Sequence, residues 1–155
     1  MVAHGYNHVF GGGKIAGTAG WFDSMGMRAP RFQAWMASLT ELAAGASLIA
    51  GFLTPLGGAG VVGVMTVAWA INHRGNGFFI FRPGEGWEYV MTLALAAVPL
   101  AAVGPGTWSL DHAFEIDGDL TGSAGLAITT GAGIGGALLL LVVAWRPPRP
   151  AADAT

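Results

Sequence analysis

Two carboxylates, three histidines and an asparagine lie within or beside apolar stretches of this chain, and they carry most of its chemical potential. Glu41 sits near the middle of residues 32–54, an otherwise apolar run long enough to cross a bilayer. An acidic side chain near the bilayer centre costs about 3 kcal/mol on insertion scales, so it is paired inside a bundle or used for proton, ion or ligand chemistry. Burial disfavours the charged form of a carboxyl, and Glu41 is expected to be neutral and hydrogen-bonded. His4 and His8 share a helical face at i, i+4, and either is a candidate partner, as are Asn72 and His73. A carboxyl and an imidazole can each exchange a hydrogen bond with a carbonyl oxygen. The candidate set for a proton relay or quinone-headgroup site is therefore Glu41, His73, Glu88, His4, His8 and Asn76. The plainer reading of Glu41 is a bond across helices that fixes the bundle.

Other polar groups point less far. His73 beside Arg74 reads as an interfacial cap. The run from Asn76 through Phe78 and Phe79 to Phe81 reads as an aromatic loop dipping into the headgroup layer, or as a hydrophobic gate over a ligand pocket. Glu115, Asp117 and Asp119 with Gly118 share part of the spacing of a calcium loop but lack its remainder and its terminal Glu, which leaves a solvated loop. The histidine pair has no carboxylate in its short motif, so no metal site is expected. No residue is singled out as catalytic.

The segments that must position these groups are membrane segments. Hydrophobic residues make up 53% of the chain and charged residues 10%, with a mean hydropathy of +0.55. Soluble domains carry about 25% charged residues. The net charge of −2 and the scattered Lys and Arg exclude a nucleic-acid partner. With no cysteine, the chain has no disulfide, thiolate metal site or CxxC redox pair. The 26 glycines lie mainly in apolar segments, the pattern of close helix packing.

The expected fold is all-α, an integral membrane helical bundle with about four complete transmembrane helices plus a truncated first helix. The spans run over residues 32–54, 56–72, 87–103 and 122–145, with a turn at Thr54-Pro55. Pro99 should kink the third span, and Gly104-Pro105-Gly106 breaks it. In the fourth, Gly131/Gly135 and Ala132/Gly136 repeat small residues at i, i+4 for helix packing, and Arg146-Pro147-Pro148-Arg149 stops it. Residues 1–10 are too short to span and do not form a signal peptide; they read as the tail of a span whose beginning is absent. Residues 19–22 open an amphipathic loop or short interfacial helix.

If the spans alternate, Lys14, Arg28, Arg31, Arg74, Arg82, Arg146 and Arg149 share one membrane face. Asp111, Glu115, Asp117 and Asp119 share the other. The positive-inside rule then puts the basic loops and the C-terminus in the cytoplasm. Trp21, Trp35, Trp87, Trp108 and Trp145 near span ends fit an aromatic belt.

His4-Gly5, Phe10-Gly11, Lys14, Trp21-Phe22 and Gly26 together resemble the opening of the DoxX family of small membrane proteins. The likeness continues through Glu41-Leu42, Gly45, Leu53-Thr54, Asn72-His73, Asn76-Gly77-Phe78-Phe79 and Glu88-Tyr89. It ends at Gly104-Pro105-Gly106 and Trp108-Ser109-Leu110-Asp111. The order and spacing carry the resemblance, rather than any one motif. It implies a DoxX-like membrane domain over residues 1–111 with an incomplete first helix, followed by an acidic loop at 112–121, an additional transmembrane helix at 122–146 and a disordered tail at 147–155. The chain departs from the family in its short first helix, which would leave an apolar groove. It also departs at His8, where the family more often has Lys; of the two, only His is a base near neutral pH.

DoxX-like proteins are similar to the small subunit of a thiosulfate:quinone oxidoreductase, and they are linked to oxidative-stress assemblies. The resemblance implies an accessory subunit of membrane redox or oxidative-stress chemistry in the plasma (inner) membrane. Its partners would be membrane lipid and redox or oxidative-stress proteins. It would have no intrinsic cofactor, a quinone as ligand, and no catalysis by the isolated chain. One alternative is a membrane scaffold anchoring soluble partners. Another is a small transporter or lipid-handling protein, which needs a homo-oligomer because the few spans show no inverted repeat.

Overall fold

The computed structural model describes residues 1–148 of the 155-residue chain. The described residues form helices α1 (Val2–Phe10), α2 (Lys14–Ser24), α3 (Pro30–Ala50) and α4 (Thr54–Ala68), the last continuing as a π-helical turn, Trp69–His73. Helix α5 (Glu88–Val103), two one-turn helices α6 (Leu110–Ala113) and α7 (Asp117–Leu120), and α8 (Gly122–Ala144) follow. The expected disordered tail lies, from residue 149 onward and including Arg149, outside the described residues.

Hydropathy and the breaks between segments explain most of this order. Thr54–His73 and Gly122–Ala144 are each long and apolar enough to cross a membrane. Helix α3 is 21 residues long but falls short in apolarity, because Arg31, Gln33 and Glu41 interrupt it. Helix α5 is apolar but has 16 residues, about 24 Å of rise, with Pro99 inside it. Length and composition alone thus mark two spanning helices rather than the four expected.

Helix α4 lies at the centre and packs against α3, α5 and α8; α1 and α2 pack on α3. The connection between α3 and α4 corrects the sequence reading. The turn falls at residues 51–53, with Gly51 and Leu53 in the left-handed region, and Thr54 is the first residue of α4. Pro55 is tolerated because it lies in the first helical turn, where its missing N–H has no intrahelical partner to lose. A distant side chain fixes this turn. Asp111 accepts hydrogen bonds from Leu53 N–H (2.6 Å), Thr54 N–H (3.0 Å) and the Thr54 hydroxyl (2.8 Å), and its carboxylate is fully buried. Its own N–H donates to the Gly51 carbonyl (2.8 Å). Asp111 therefore caps the central helix and does not belong to the solvated acidic face, whereas Glu115 and Asp119 are exposed.

The packing face of α8 also differs from the expected one. Gly125, Thr129, Gly133, Ala137 and Ala144 are its buried residues. A Cβ at Gly133 would lie 2.8 Å from Val62 Cβ and 2.9 Å from the Ala59 carbonyl, so only glycine permits this approach to α4. The Thr129 hydroxyl donates to the Pro55 carbonyl (2.9 Å) across the same contact. Gly131 and Gly135 are exposed, with open space where a side chain would go. Almost every α8 residue is apolar or small, so no polar face marks its outward side.

A backbone clasp ties α8 to the start of α3. Arg28 N–H donates to the Ala144 carbonyl (2.7 Å), Arg146 N–H to the Gly26 carbonyl (2.9 Å), and the Trp145 indole N–H to the Met25 carbonyl (2.9 Å). Arg74 lies over the Trp145 ring at 5.4 Å. Arg28, Arg31, Arg74, Arg82 and Arg146 thus gather at one end of the bundle, opposite the end that holds Asp111, Glu115, Asp117 and Asp119.

Two measurements check this packing. Asp111→Ala leaves three donors unpaired and is expected to cost about 2–4 kcal/mol, read as a large drop in the detergent-solubilised melting temperature, with Thr54→Val costing about 1 kcal/mol. Gly133→Leu is expected to disrupt the α4–α8 contact and lower the melting temperature sharply, while Gly131→Leu stays near wild type. The opposite ranking would contradict the packing face.

Candidate functional site

The buried residues of α3 are Gln33, Ala34, Ser38, Glu41, Ala44 and Gly45, a spacing that turns Ser38 and Glu41 inward on one face. Ser38 satisfies its hydroxyl locally by donating to the Ala34 carbonyl (2.7 Å). Glu41 has no such outlet. Helix α1 packs over it because Gly5 permits contact: a Cβ there would lie 2.8 Å from the Ser38 carbonyl and 3.2 Å from Glu41 Cβ. One turn later α1 presents His8, whose Nδ1 lies 3.4 Å from Glu41 Oε2. The Thr18 hydroxyl donates to the His8 carbonyl (3.2 Å) and ties α2 to this segment.

The distance exceeds the 2.7–3.2 Å of an ordinary N–H···O bond. His8 Nδ1 and Glu41 Oε2 are buried and have no hydrogen-bond partner among the described residues. The Glu41 side chain is 5% exposed and the His8 side chain 17%, so the imidazole is the member nearer the outside. One proton shared by the two groups gives either a neutral carboxyl with neutral imidazole or a carboxylate with imidazolium. Both forms have zero net charge, so transfer within the pair leaves no uncompensated charge in the low-dielectric interior.

The remaining candidates do not converge on this pair. His4 stacks on Tyr89, with ring centroids 6.2 Å apart. His73 Nδ1 lies 2.8 Å from the Glu85 carbonyl; because a carbonyl only accepts, Nδ1 carries the proton and Nε2 faces the Asn72 amide at 3.3 Å. Asn76 donates to the carbonyls of Asn72 (3.0 Å) and Glu85 (3.3 Å), and also to that of Gly84. The Glu88 carboxylate accepts from Ile80 N–H (3.2 Å). These three side chains organise the 74–87 loop. The π-helical turn, closed by Arg74 N–H to the Trp69 carbonyl (2.9 Å), presents Asn72 and His73 to it. A headgroup site joining Glu41 to His73 is not formed, since Glu41 faces α1 and His73 faces the loop.

His73 and Asn72 instead border a half-open cavity of about 380 Å³ lined by residues of α2, α3, α4 and α8. Its walls include Phe22, Met36, Val64 and Leu140, and Thr40, the residue before Glu41, is a further polar group within it. The volume lies in the range of small-ligand sites. Thr40 is not among the candidates from sequence, because one hydroxyl in an apolar helix gives no signal. The exposed acidic loop holds one further pair: His112 Nδ1 and Asp117 Oδ2 are 2.9 Å apart, and this hydrogen bond is the main cause that holds the Asp117 carboxyl below the usual carboxylate range.

Two helices long and apolar enough to cross a membrane, together with a family match, point to a membrane protein. More narrowly, the DoxX family model matches residues 1–74, from α1 through the π-helical end of α4, and this segment is similar to the DoxX family. No curated protein and no solved structure matches the chain.

The loop assignment has a direct check. In His73→Ala, the amides of Gly86, Trp87 and Glu88, which bond to the carbonyls of residues 77–79, are expected to exchange about five- to tenfold faster, corresponding to a loss of about 1 kcal/mol. Protection in α1 and α3 should not change. Faster exchange centred on α1 would instead link His73 to the buried pair.

Proposed function

We propose that this chain is a DoxX-type accessory protein of membrane redox or oxidative-stress chemistry, in which His8 and Glu41 relay a proton toward a lipid-soluble carbonyl acceptor, a quinone. The observation that carries this reading is the buried pair, His8 Nδ1 and Glu41 Oε2 at 3.4 Å, with neither atom hydrogen-bonded elsewhere among the described residues. A carboxylate kept for packing alone would be expected to find donors, because an unpaired buried polar group costs about 1–3 kcal/mol. The pair instead retains the capacity to take up and release a proton.

Reduction of a quinone to a quinol takes up two electrons and two protons. With no cysteine, the chain offers no thiol redox couple, and the electrons come from a partner oxidoreductase. The chain's contribution is on the proton side. His8, nearer the outside, exchanges a proton with the surroundings, and Glu41 receives it in the interior. The apolar cavity beside Thr40, Asn72 and His73 has the size and lining for part of an isoprenoid chain. The basic end of the bundle would face the cytoplasm of a plasma membrane by the positive-inside rule.

The test is mild extraction from native membranes, native mass spectrometry of the assembly, and quinone analysis of wild type, Glu41→Gln and His8→Gln. Wild type is expected to carry quinone together with a redox partner. Both variants should assemble with that partner yet lose at least tenfold in partner-supported quinone reduction. Recovery of the partner without quinone, unaffected by Glu41→Gln, would replace this reading with that of a scaffold.

A further inference from the structure

A second groove lies between α4 and α5, and neither His8 nor Glu41 lines it. Its volume is about 360 Å³, and its walls include Met65, Trp69, Trp87, Val90 and Met91, with Arg74 at its end. The combination is that of an amphiphile site. The length of the groove is apolar, the two indoles are rings suited to the headgroup boundary, and the single formal charge in the lining is positive. Among the described residues no carboxylate lies within ion-pairing distance of Arg74, as the close pairs found involve His8 and His112. The guanidinium is instead oriented by the Trp145 ring, 5.4 Å from its carbon. A guanidinium held over a ring face in this way keeps N–H donors available, and their fork matches the oxygens of a phosphate.

We propose that the α4–α5 groove binds one anionic phospholipid, with an acyl chain along Met65, Val90 and Met91 and the phosphate on Arg74. Charge complementarity selects this occupant over a zwitterionic lipid, whose own cation offsets the attraction. Basic pockets between membrane helices recognise anionic headgroups in this way. The groove also explains why Arg74 stands at the π-helical end of α4: the wider turn, closed from Arg74 to Trp69, puts one residue of the groove wall and its cation within a single hydrogen-bonded loop.

Purified protein in a nonionic detergent, titrated with phosphatidylglycerol or phosphatidylcholine of matched chains and read by native mass spectrometry, tests the proposal. Wild type is expected to retain one phosphatidylglycerol at least fivefold more tightly than phosphatidylcholine. Arg74→Gln should remove about a fivefold share of that preference, the scale of one basic residue at a membrane surface, and Arg74→Lys should restore part of it. Arg82→Gln, at the same end of the bundle but outside the groove, should leave it within twofold. Ala94→Phe, which fills the groove wall, should lower retention of both lipids. Equal retention of the two lipids by wild type overturns the proposal, as do equal losses in Arg74→Gln and Arg82→Gln, which would indicate a diffuse field. These outcomes do not depend on the quinone reading, because the substitutions leave His8 and Glu41 in place and none of the substituted residues lines the first cavity.

Discussion

The three hydrogen bonds that Asp111 accepts from residues 53 and 54 set the position of α4, and α4 is the helix on which α3, α5 and α8 all pack. The first N–H groups of any helix lack intrahelical partners, and the helix dipole places positive potential there. A carboxylate supplied from 57 or 58 residues away answers both. Burial of the charge would be costly in isolation. Here every contact that compensates it also fixes the loop leading out of α5 against the turn between α3 and α4. The apolar surfaces of the bundle can slide against one another with little loss, but this polar contact has one geometry.

The same division between sliding surfaces and fixed polar points runs through the site. Small residues set how closely helices approach: Gly5 of α1 against α3 and Gly133 of α8 against α4. Polar atoms then decide register. Thr129 holds α8 to α4, the backbone clasp holds α8 to the start of α3, and His73, Asn76 and Glu88 hold the loop between α4 and α5. Against this background the His8–Glu41 pair stands out because its atoms face each other without closing a hydrogen bond.

Hydropathy and punctuation make the helices legible in the sequence. The segments read at 56–72, 87–103 and 122–145 fall within two residues of the observed helices, because Pro, Gly and charged residues bound them on both sides. The first boundary is not legible in the same way, since Thr54-Pro55 begins a helix as readily as it makes a turn, and only Asp111 decides between the two. The inward face of α8 is hidden too, because glycine and alanine recur on every side of it. Gly131 and Gly135 have the same i, i+4 spacing as the buried stripe of Gly125, Thr129 and Gly133. Of the candidate site, the expectation of a polar neighbour for Glu41, among His4, His8, Asn72 and His73, comes from the cost of a carboxyl in an apolar helix. That the neighbour is His8 rather than His4, Asn72 or His73 depends on helix rotation, which a single sequence does not encode locally.

The clasp between residues 25–28 and 144–146 has a consequence for biogenesis. Trp145 and Met25 are 120 positions apart, so the bond between them cannot form until residue 145 has been made. At translation rates of about 5–20 residues per second, this delay is roughly 6–24 s. During that interval the early helices reside in the bilayer with one flank unsealed, and the nascent protein depends on lipid or the insertion machinery to cover it. A chain whose synthesis stops short of α8 would therefore present the quality-control proteases with an open bundle, however complete its first 74 residues.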